Sequence, residues 1–223
     1  MENERGISGD RFQMRASRRI YTLGCSCYVL AMSLRASNPA HQPEIPVGLF
    51  FAIFPDPPAA ALIARVARHL RCRYRLRGGL HLTERFHSTL YGFRGDEGPA
   101  PLLVEKAKVA AANVVVPPFR VAFNRAGSFA NKKDDYPFVL MGEDGVVGLL
   151  MLYRSLCMEL RRVGLRPKAS SNFTPHVTLF YDRRRIDEQA IEPIYWIVRK
   201  LILVLSLRGR TEYVSLGEWP LRG

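Results

Sequence analysis

The sequence contains the pattern His-x-Thr-Leu twice, at residues 87–90 and 176–179. With average residue usage, two such matches in a chain of 223 residues are about a one-in-a-thousand event. Side chains alternate between the faces of a β-strand, so the His and Thr of each motif point the same way, roughly 6–7 Å apart. Two such strands facing each other would place two imidazoles and two hydroxyls around one small volume.

These four groups suit a phosphate ester. Cleavage of a phosphodiester removes a proton from the attacking oxygen and delivers one to the leaving oxygen, and histidine does both near neutral pH. Threonine hydroxyls donate to the non-bridging oxygens, where charge accumulates. We therefore predict His87 and His176 as the acid–base pair and Thr89 and Thr178 as phosphate-binding residues. No third His, Asp or Glu ligand at a suitable spacing accompanies either motif, so we expect no metal and no cofactor.

A third His-x-Thr match, at residues 81–83, lies six residues before His87. Six residues of one strand span roughly 20 Å, so two histidines this far apart would not serve the same phosphate position. The His81 match continues with Glu84 instead of Leu and follows a Gly-Gly break. We therefore predict that His87, not His81, belongs to the acid–base pair.

The hydrophobic pattern predicts an α+β fold. Each half of the chain follows the order strand, helix, strands and contains one motif, which predicts two pseudo-symmetric lobes of antiparallel sheet plus helices around a central groove. Alternation of Arg with Cys, Tyr and Leu predicts an additional exposed strand over residues 71–77. The other strands are expected at 47–54, 86–93, 119–124, 137–141, 176–181, 199–207 and 211–216, and the helices at 57–70, 100–113 and 146–163.

The folded domain is expected over residues 47–221, with lobes of roughly 47–125 and 126–221. Residues 1–46 are interpreted as a poorly ordered extension or an over-extended start, because Met32 offers another initiation point. The apolar run at residues 20–34 follows Arg18-Arg19, so a signal-peptide h-region stays open as an alternative. The run is too short for a standard membrane span, and we expect no membrane association. The four cysteines form no C-x-x-C pair, which favours a reducing cytoplasm.

The formal net charge of +13 favours a polyanionic partner such as RNA. Residues 1–46 hold six Arg against four acids, which leaves +11 for residues 47–223. Arg183, with Arg184 and Arg185, follows the second motif and offers phosphate contacts, although a solvated turn explains these residues equally well.

Aromatic residues near the motifs offer stacking surfaces for a base. Tyr91 and Phe93 follow the first motif, and Tyr181 follows the second. Aromatic residues on half-buried strands more often belong to the core, so both interpretations remain open.

Four segments resemble the 2H phosphoesterase superfamily, and within it the LigT-like bacterial 2′-5′ RNA ligase or RNA 2′,3′-cyclic phosphodiesterase group. They are FFAIFPDPP, ERFHSTLYGF, FTPHVTLFYDRR and LVLSLRGRTEYVSLGEWPL, within residues 47–221. The resemblance implies a bilobal fold with both histidines in the central groove. It implies hydrolysis of 2′,3′-cyclic phosphate ends of RNA to 2′-phosphates, and 2′-5′ ligation in some members.

The resemblance also implies roles for the motif residues. His87 would protonate the 3′ leaving oxygen, His176 would activate water, and the threonines Thr89 and Thr178 would hold the phosphate oxygens; the acid and base roles can be exchanged. Ser88 stands where an apolar residue is commoner in the family, and we expect it to face away from the groove. Two alternatives stay open: a catalytically idle RNA-binding domain, and a 2H phosphodiesterase for a small nucleotide. A monomer is expected.

Overall fold

The computed structural model describes residues 46–93, 100–130, 135–167, 173–207 and 213–223. The predicted extension, apart from residue 46, lies outside the described residues. The elements are β1 (Pro46–Ile53), α1 (Pro57–Arg73), β2 (Ser88–Phe93), α2 (Pro101–Ala112), β3 (Phe119–Ser128), β4 (Tyr136–Met141), α3 (Val147–Arg162), β5 (His176–Asp182), β6 (Gln189–Val198), β7 (Lys200–Leu207) and β8 (Tyr213–Pro220). Short 3-10 turns occupy Thr83–Arg85 and Asp144–Val146.

The strands form two antiparallel sheets of four, in the orders β2-β1-β7-β8 and β5-β4-β3-β6. The two motif strands, β2 and β5, occupy equivalent edge positions in their sheets, and they contact each other. Each is paired to one inner strand, β1 or β4. The predicted α+β fold with two pseudo-equivalent antiparallel sheets is confirmed.

The division into consecutive lobes at residues 125 and 126 does not match the sheets. The second sheet consists of β3 to β6, whereas the first sheet combines β1 and β2 with the final hairpin, β7 and β8. Strand β1 needs a partner on both sides, and β7 supplies the second partner from the far end of the chain. One motif in each half of the sequence does not reveal this return of the chain.

Helix α1 begins as predicted. The Asp56 side chain accepts a hydrogen bond from the Ala59 N–H at 2.9 Å, and Pro57 occupies the first turn. The helix packs against β5 and β6 of the second sheet. It continues to Arg73, so the strand predicted over residues 71–77 is wrong. Arg71 and Arg73 lie in the last turn, where their positive charges suit the C-terminal end of the helix dipole.

Helix α3 buries a leucine stripe against the core and ends before Gly164, which adopts a left-handed conformation with φ of 79°. Glycine has no β-carbon and adopts this conformation without strain, so it suits the position after the helix end. Strand β6 was not predicted. Its buried residues Ile194, Trp196 and Val198 alternate as a strand requires, and its Pro193 is tolerated because β6 is an edge strand.

Candidate functional site

Both motifs adopt the predicted alternation. The residues between His and Thr, Ser88 and Val177, are fully buried, whereas Thr89 and Thr178 are half-buried. Strand β5 begins at His176, and His87 immediately precedes β2. Within the described part of the chain, neither threonine hydroxyl has a hydrogen-bond partner.

Each motif strand contains a β-bulge at the leucine of its motif. The cross-strand pairing skips Leu90 in β2 and Leu179 in β5. A bulge changes the phase of the side-chain alternation beyond it. In β5, Phe180 consequently faces the core, where it stacks on Phe138 at 5.0 Å between ring centroids. The next residue, Tyr181, is 44% exposed and returns to the face of the motif histidine.

Each motif histidine is anchored to the carbonyl two residues before it. His87 Nδ1 donates to the Arg85 carbonyl at 2.7 Å, and His176 Nδ1 donates to the Thr174 carbonyl at 2.8 Å. Because a carbonyl only accepts, these bonds fix the proton of each neutral ring on Nδ1. Neither Nε2 has a hydrogen-bond partner among the described residues. Each half of the site therefore presents one imidazole whose free nitrogen can accept or deliver a proton.

The surroundings of His87 are aromatic. The rings of Phe50, Tyr213 and Phe54 lie at 5.1, 5.4 and 5.7 Å from the imidazole. Burial lowers the pKa of His87 to about 4, and the positive charges of His81, His176 and Arg85 add to this effect, whereas the bond to the Arg85 carbonyl opposes it. His87 is therefore neutral in the free protein near pH 7.

The second histidine has a simpler setting. Phe129 contacts the His176 ring at 5.0 Å between ring centroids. Burial lowers the pKa of His176, and the bond to the Thr174 carbonyl opposes that shift. The two imidazoles thus differ in environment, because His87 also lies beside an arginine.

His81 also reaches this site, which contradicts the distance argument made from the sequence. The 3-10 turn at Thr83–Arg85 interrupts the segment, so residues 81–87 do not form one extended strand. The His81 N–H donates to the Leu179 carbonyl at 2.9 Å, and its ring lies beside the Thr178 backbone. The ring lies 5.9 Å from that of Tyr181. His87 remains the histidine of the first motif, but His81 adds a third imidazole beside the second motif.

A buried carboxylate holds the segment that carries His81. Asp182 accepts hydrogen bonds from the N–H groups of Arg77 at 2.6 Å, Gly78 at 2.7 Å and Arg184 at 2.9 Å. Burial raises the pKa of Asp182, but the three backbone donors and the Arg184 charge outweigh it, so the pKa lies below its ordinary value. Residues 77–81 are thereby fixed against the end of β5.

Arg85 extends its side chain over Tyr213. Its guanidinium carbon lies 4.8 Å from the centre of the Tyr213 ring, and Nη2 donates to the Tyr213 hydroxyl at 3.2 Å. Its Nε is buried and has no hydrogen-bond partner in the described part of the chain. Within the described residues, no carboxylate forms an ion pair with Arg85.

Exposed arginines from two segments meet beside the site. Arg184 Nη1 donates to the Tyr74 carbonyl at 2.8 Å, which connects the turn after β5 with the end of α1. We call the resulting group the arginine surface; it consists of Arg73, Arg75, Arg77, Arg183, Arg184 and Arg185. Among the described residues, none of the six forms an ion pair with a carboxylate.

Tyr91 lies with the core. It packs against the hydrophobic cluster, and its ring contacts Phe93 at 5.0 Å between ring centroids. Phe93 in turn contacts the buried Phe51. Of the aromatic residues singled out from the sequence, Tyr181 has the exposed position.

The sequence did not identify Arg85 and Tyr213 as members of the site. Arg85 lies two residues before a motif histidine, which is a weak signal without a structure. Tyr213 comes from the last strand and reaches His87 only because β8 joins the first sheet.

Within the described ranges, no group of three or more His, Cys, Asp or Glu side chains is placed to hold a metal ion. In the same ranges, no helix has the length and hydropathy of a membrane span.

Comparison with known proteins agrees with this geometry. The profile of the 2′-5′ RNA ligase superfamily matches residues 54–210, which include both motifs. The crystal structure of apo E. coli LigT is 26% identical and covers 80% of this chain and 99% of its own, with a TM-score of 0.57. A structure of E. coli LigT complexed with phosphate is 25% identical with the same coverage and TM-score.

The fold is also shared with the protein TT0787 of Thermus thermophilus. That protein is 22% identical, covers 79% of this chain and 99% of its own, and has a TM-score of 0.62. No curated protein matches the sequence.

Proposed function

Since this chain belongs to the 2′-5′ RNA ligase superfamily, we propose that its groove hydrolyses 2′,3′-cyclic phosphate ends of RNA to 2′-phosphates. Family and fold support a 2H phosphoesterase or 2′-5′ RNA ligase type of activity. The specific reaction rests on the side chains of the groove and on their protonation.

One observation carries the proposal. Both histidines donate Nδ1–H to a carbonyl two residues upstream, so both keep Nε2 for chemistry. Two unpartnered threonine hydroxyls accompany them, one in each motif. General acid–base cleavage of a phosphodiester requires two such nitrogens, and transition-state stabilisation requires donors for the non-bridging oxygens.

The proposed reaction requires only these four side chains and water. His176 Nε2 takes a proton from water as the water oxygen bonds to phosphorus, and the bond from phosphorus to O3′ breaks. The bound anionic phosphate raises the pKa of His87, so its Nε2 takes up a proton from solvent, and His87 then gives this proton to O3′. The product carries a 2′-phosphomonoester and a 3′-hydroxyl. Thr89 and Thr178 donate to the non-bridging oxygens throughout. A 5′-hydroxyl of a second RNA in place of water gives a 2′-5′ linkage by the same proton transfers.

RNA is favoured as the substrate by charge. Three members of the arginine surface, Arg183 to Arg185, follow directly after β5, and among the described residues none of its six members forms an ion pair. Tyr181 offers an exposed ring beside the phosphate position, where a base can stack. The E. coli LigT structures include complexes with 3′-AMP and with phosphate, so a similar protein binds both a nucleotide and phosphate.

The test uses a 2′,3′-cyclic mononucleotide and an RNA ending in a 2′,3′-cyclic phosphate, both in the presence of EDTA. We expect the wild type to form a 2′-phosphate, and His87→Ala and His176→Ala to lose at least about a hundredfold in kcat. Binding of RNA without turnover would instead support the idle RNA-binding domain. Turnover of the mononucleotide alone would support the small-nucleotide phosphodiesterase. Loss of activity in EDTA would overturn the metal-independent mechanism.

A further inference from the structure

The Arg85 side chain carries a positive charge that the described residues do not balance. A guanidinium offers five N–H donors. One Nη2 donor is used on the Tyr213 hydroxyl, and the buried Nε–H has no acceptor. The guanidinium also lies over the face of the Tyr213 ring, a cation–π contact that compensates only part of the lost hydration. The half-buried guanidinium keeps further Nη N–H donors that no described residue accepts, which makes it a candidate site for an anion.

The position of this charge points to the same phosphate as the motifs. Tyr213, on which Arg85 rests, contacts the His87 ring edge-on at 5.4 Å. The Arg85 charge acts on His87 of the first motif, and also on His81 and Tyr181, which lie at the second motif. The guanidinium therefore lies where the two motifs meet, beside the imidazole that contacts the leaving oxygen in the proposed reaction.

We propose that Arg85 binds the reacting phosphate by donating to a non-bridging oxygen, together with Thr89 and Thr178. This inference rests on the proposed phosphate position between His87 and His176. The negative charge on the non-bridging oxygens grows during attack, so a fixed guanidinium stabilises the transition state as well as the bound substrate. Tyr213 sets the direction of the guanidinium.

The structure separates two contributions of Arg85. The carbonyl of Arg85 anchors His87, and any residue at position 85 retains that carbonyl. The guanidinium is removed by Arg85→Gln, while Arg85→Lys keeps a point charge without the fork of donors. Arg154→Gln is the matched control, because it removes an exposed arginine from α3, outside the site.

Inorganic phosphate is the probe, measured by calorimetric titration of the full-length protein. We expect Arg85→Gln to weaken phosphate binding by about 10- to 100-fold, and Arg85→Lys to recover part of that decrease. Arg154→Gln should bind phosphate as the wild type does. Binding by Arg85→Gln within twofold of wild type, with unchanged thermal unfolding, would overturn the proposal. If Arg85→Gln does not fold, phosphate binding by Arg85→Lys is the test instead. An affinity of Arg85→Lys for phosphate equal to that of the wild type would exclude recognition by the guanidinium fork.

Turnover identifies which phosphate Arg85 contacts. If it contacts the reacting phosphate, Arg85→Gln lowers kcat/KM by the same factor on the cyclic mononucleotide and on RNA with a cyclic end. A decrease confined to RNA would assign Arg85 to another phosphate of the chain and would overturn the inference. Phosphate binding needs no turnover, so weaker binding in Arg85→Gln supports the inference even where the wild type proves inactive and the proposed hydrolysis fails.

Discussion

The carbonyl oxygen of Tyr181 occupies the space that a β-carbon on Gly78 would need, only 1.9 Å from where that atom would lie. This close approach allows residues 77–81 to run along the end of β5. The Asp182 carboxylate holds the beginning of the segment, and the bond from His81 N–H to Leu179 holds its end. A glycine thereby determines how closely His81 approaches the second motif.

Gly78→Ala should therefore move the segment. We expect a decrease of about 1–3 kcal/mol in the free energy of unfolding, because the clash is with backbone that cannot yield easily. We also expect kcat/KM to fall by about tenfold or more, since His81 and Tyr181 move with the segment. Gly79→Ala is the control, because no heavy atom lies within 4 Å of a β-carbon at that position. Equal effects of the two substitutions in denaturant unfolding would contradict the role of close packing.

Ser88 offers a gain in stability. Its side chain is fully buried, and its hydroxyl has no hydrogen-bond partner among the residues that the structure describes. Ser88→Ala removes an unsatisfied polar group, so we expect the free energy of unfolding to rise by about 1 kcal/mol. Ser88 faces away from the groove, so kcat/KM on a cyclic mononucleotide should stay within twofold of wild type. A destabilised Ser88→Ala would show that the hydroxyl has a partner in solution.

Protonation of His87 should make the fold sensitive to acid. Its pKa in the folded protein is about 4, below the ordinary value of 6.5, so the unfolded chain binds this proton first as pH falls. The stability that His87 contributes is complete above about pH 6.5 and is lost as pH falls toward 4. We expect the unfolding free energy of the wild type to decrease more between pH 7 and pH 5 than that of His87→Gln. An equal decrease in both proteins would show that His87 titrates near its ordinary value.

The pKa of His87 should also respond to a bound anion. Inorganic phosphate in the groove favours the imidazolium, so it should raise the pKa of His87. The Cε1 proton resonance of His87, followed by NMR with and without phosphate, measures this shift. The assignment of the resonance uses His87→Gln. A pKa that phosphate leaves unchanged would place the anion away from His87.

The acid can be identified through the leaving atom. A low pKa makes protonated His87 a strong acid, which suits donation to O3′. A substrate with sulfur in place of O3′ needs little protonation on departure, because a thiolate is a much weaker base than an alkoxide. On this substrate, we expect the loss of kcat/KM in His87→Ala to be smaller by about a hundredfold or more than on the oxygen substrate. The loss in His176→Ala should be the same on both substrates. The reverse pattern would exchange the acid and base roles.

The arginine surface should bind the RNA chain in a salt-dependent way. Arg183 and Arg185 are exposed, whereas Arg184 also bonds to the Tyr74 carbonyl, so Arg183→Gln with Arg185→Gln changes charge with little effect on structure. For each RNA phosphate that the variant no longer neutralises, we expect the slope of log kcat/KM on RNA against log salt to become shallower by about 0.7. Arg154→Gln with Arg161→Gln on α3 is the matched control. An unchanged slope would place the RNA elsewhere.

The motif strands could be predicted because strand alternation is a local property. His87 and Thr89 share a face whatever surrounds them, and the burial of Ser88 follows from the same rule. The bulge at Leu90 could not be predicted, since the cross-strand register depends on β1 and leaves no mark in the motif. Tyr181 reaches the site only through the equivalent bulge.

The placement of His81 depends on tertiary structure. The distance argument assumed one strand, but the 3-10 turn at Thr83–Arg85 changes the path of the chain. Asp182, which holds residues 77–81, lies 105 residues from Arg77 in sequence. The strand predicted over residues 71–77 failed for a related reason, because the alternating arginines occupy the end of a helix and the loop after it. The composition indicated a positively charged surface, but not the helix end and the loop on which these arginines lie.

The position of β7 has a consequence for how the protein is made. The four strands of the second sheet are contiguous in the chain, so they can pair as soon as they have left the ribosome. In the first sheet, β1 and β2 can pair early, but the second neighbour of β1, strand β7, is synthesised only after the whole of the second sheet. A nascent chain that ends before Lys200 contains both histidine motifs but lacks β7 and β8, and with them the Tyr213 ring that contacts His87. We therefore expect the proposed activity to appear only after β7 and β8 have been synthesised.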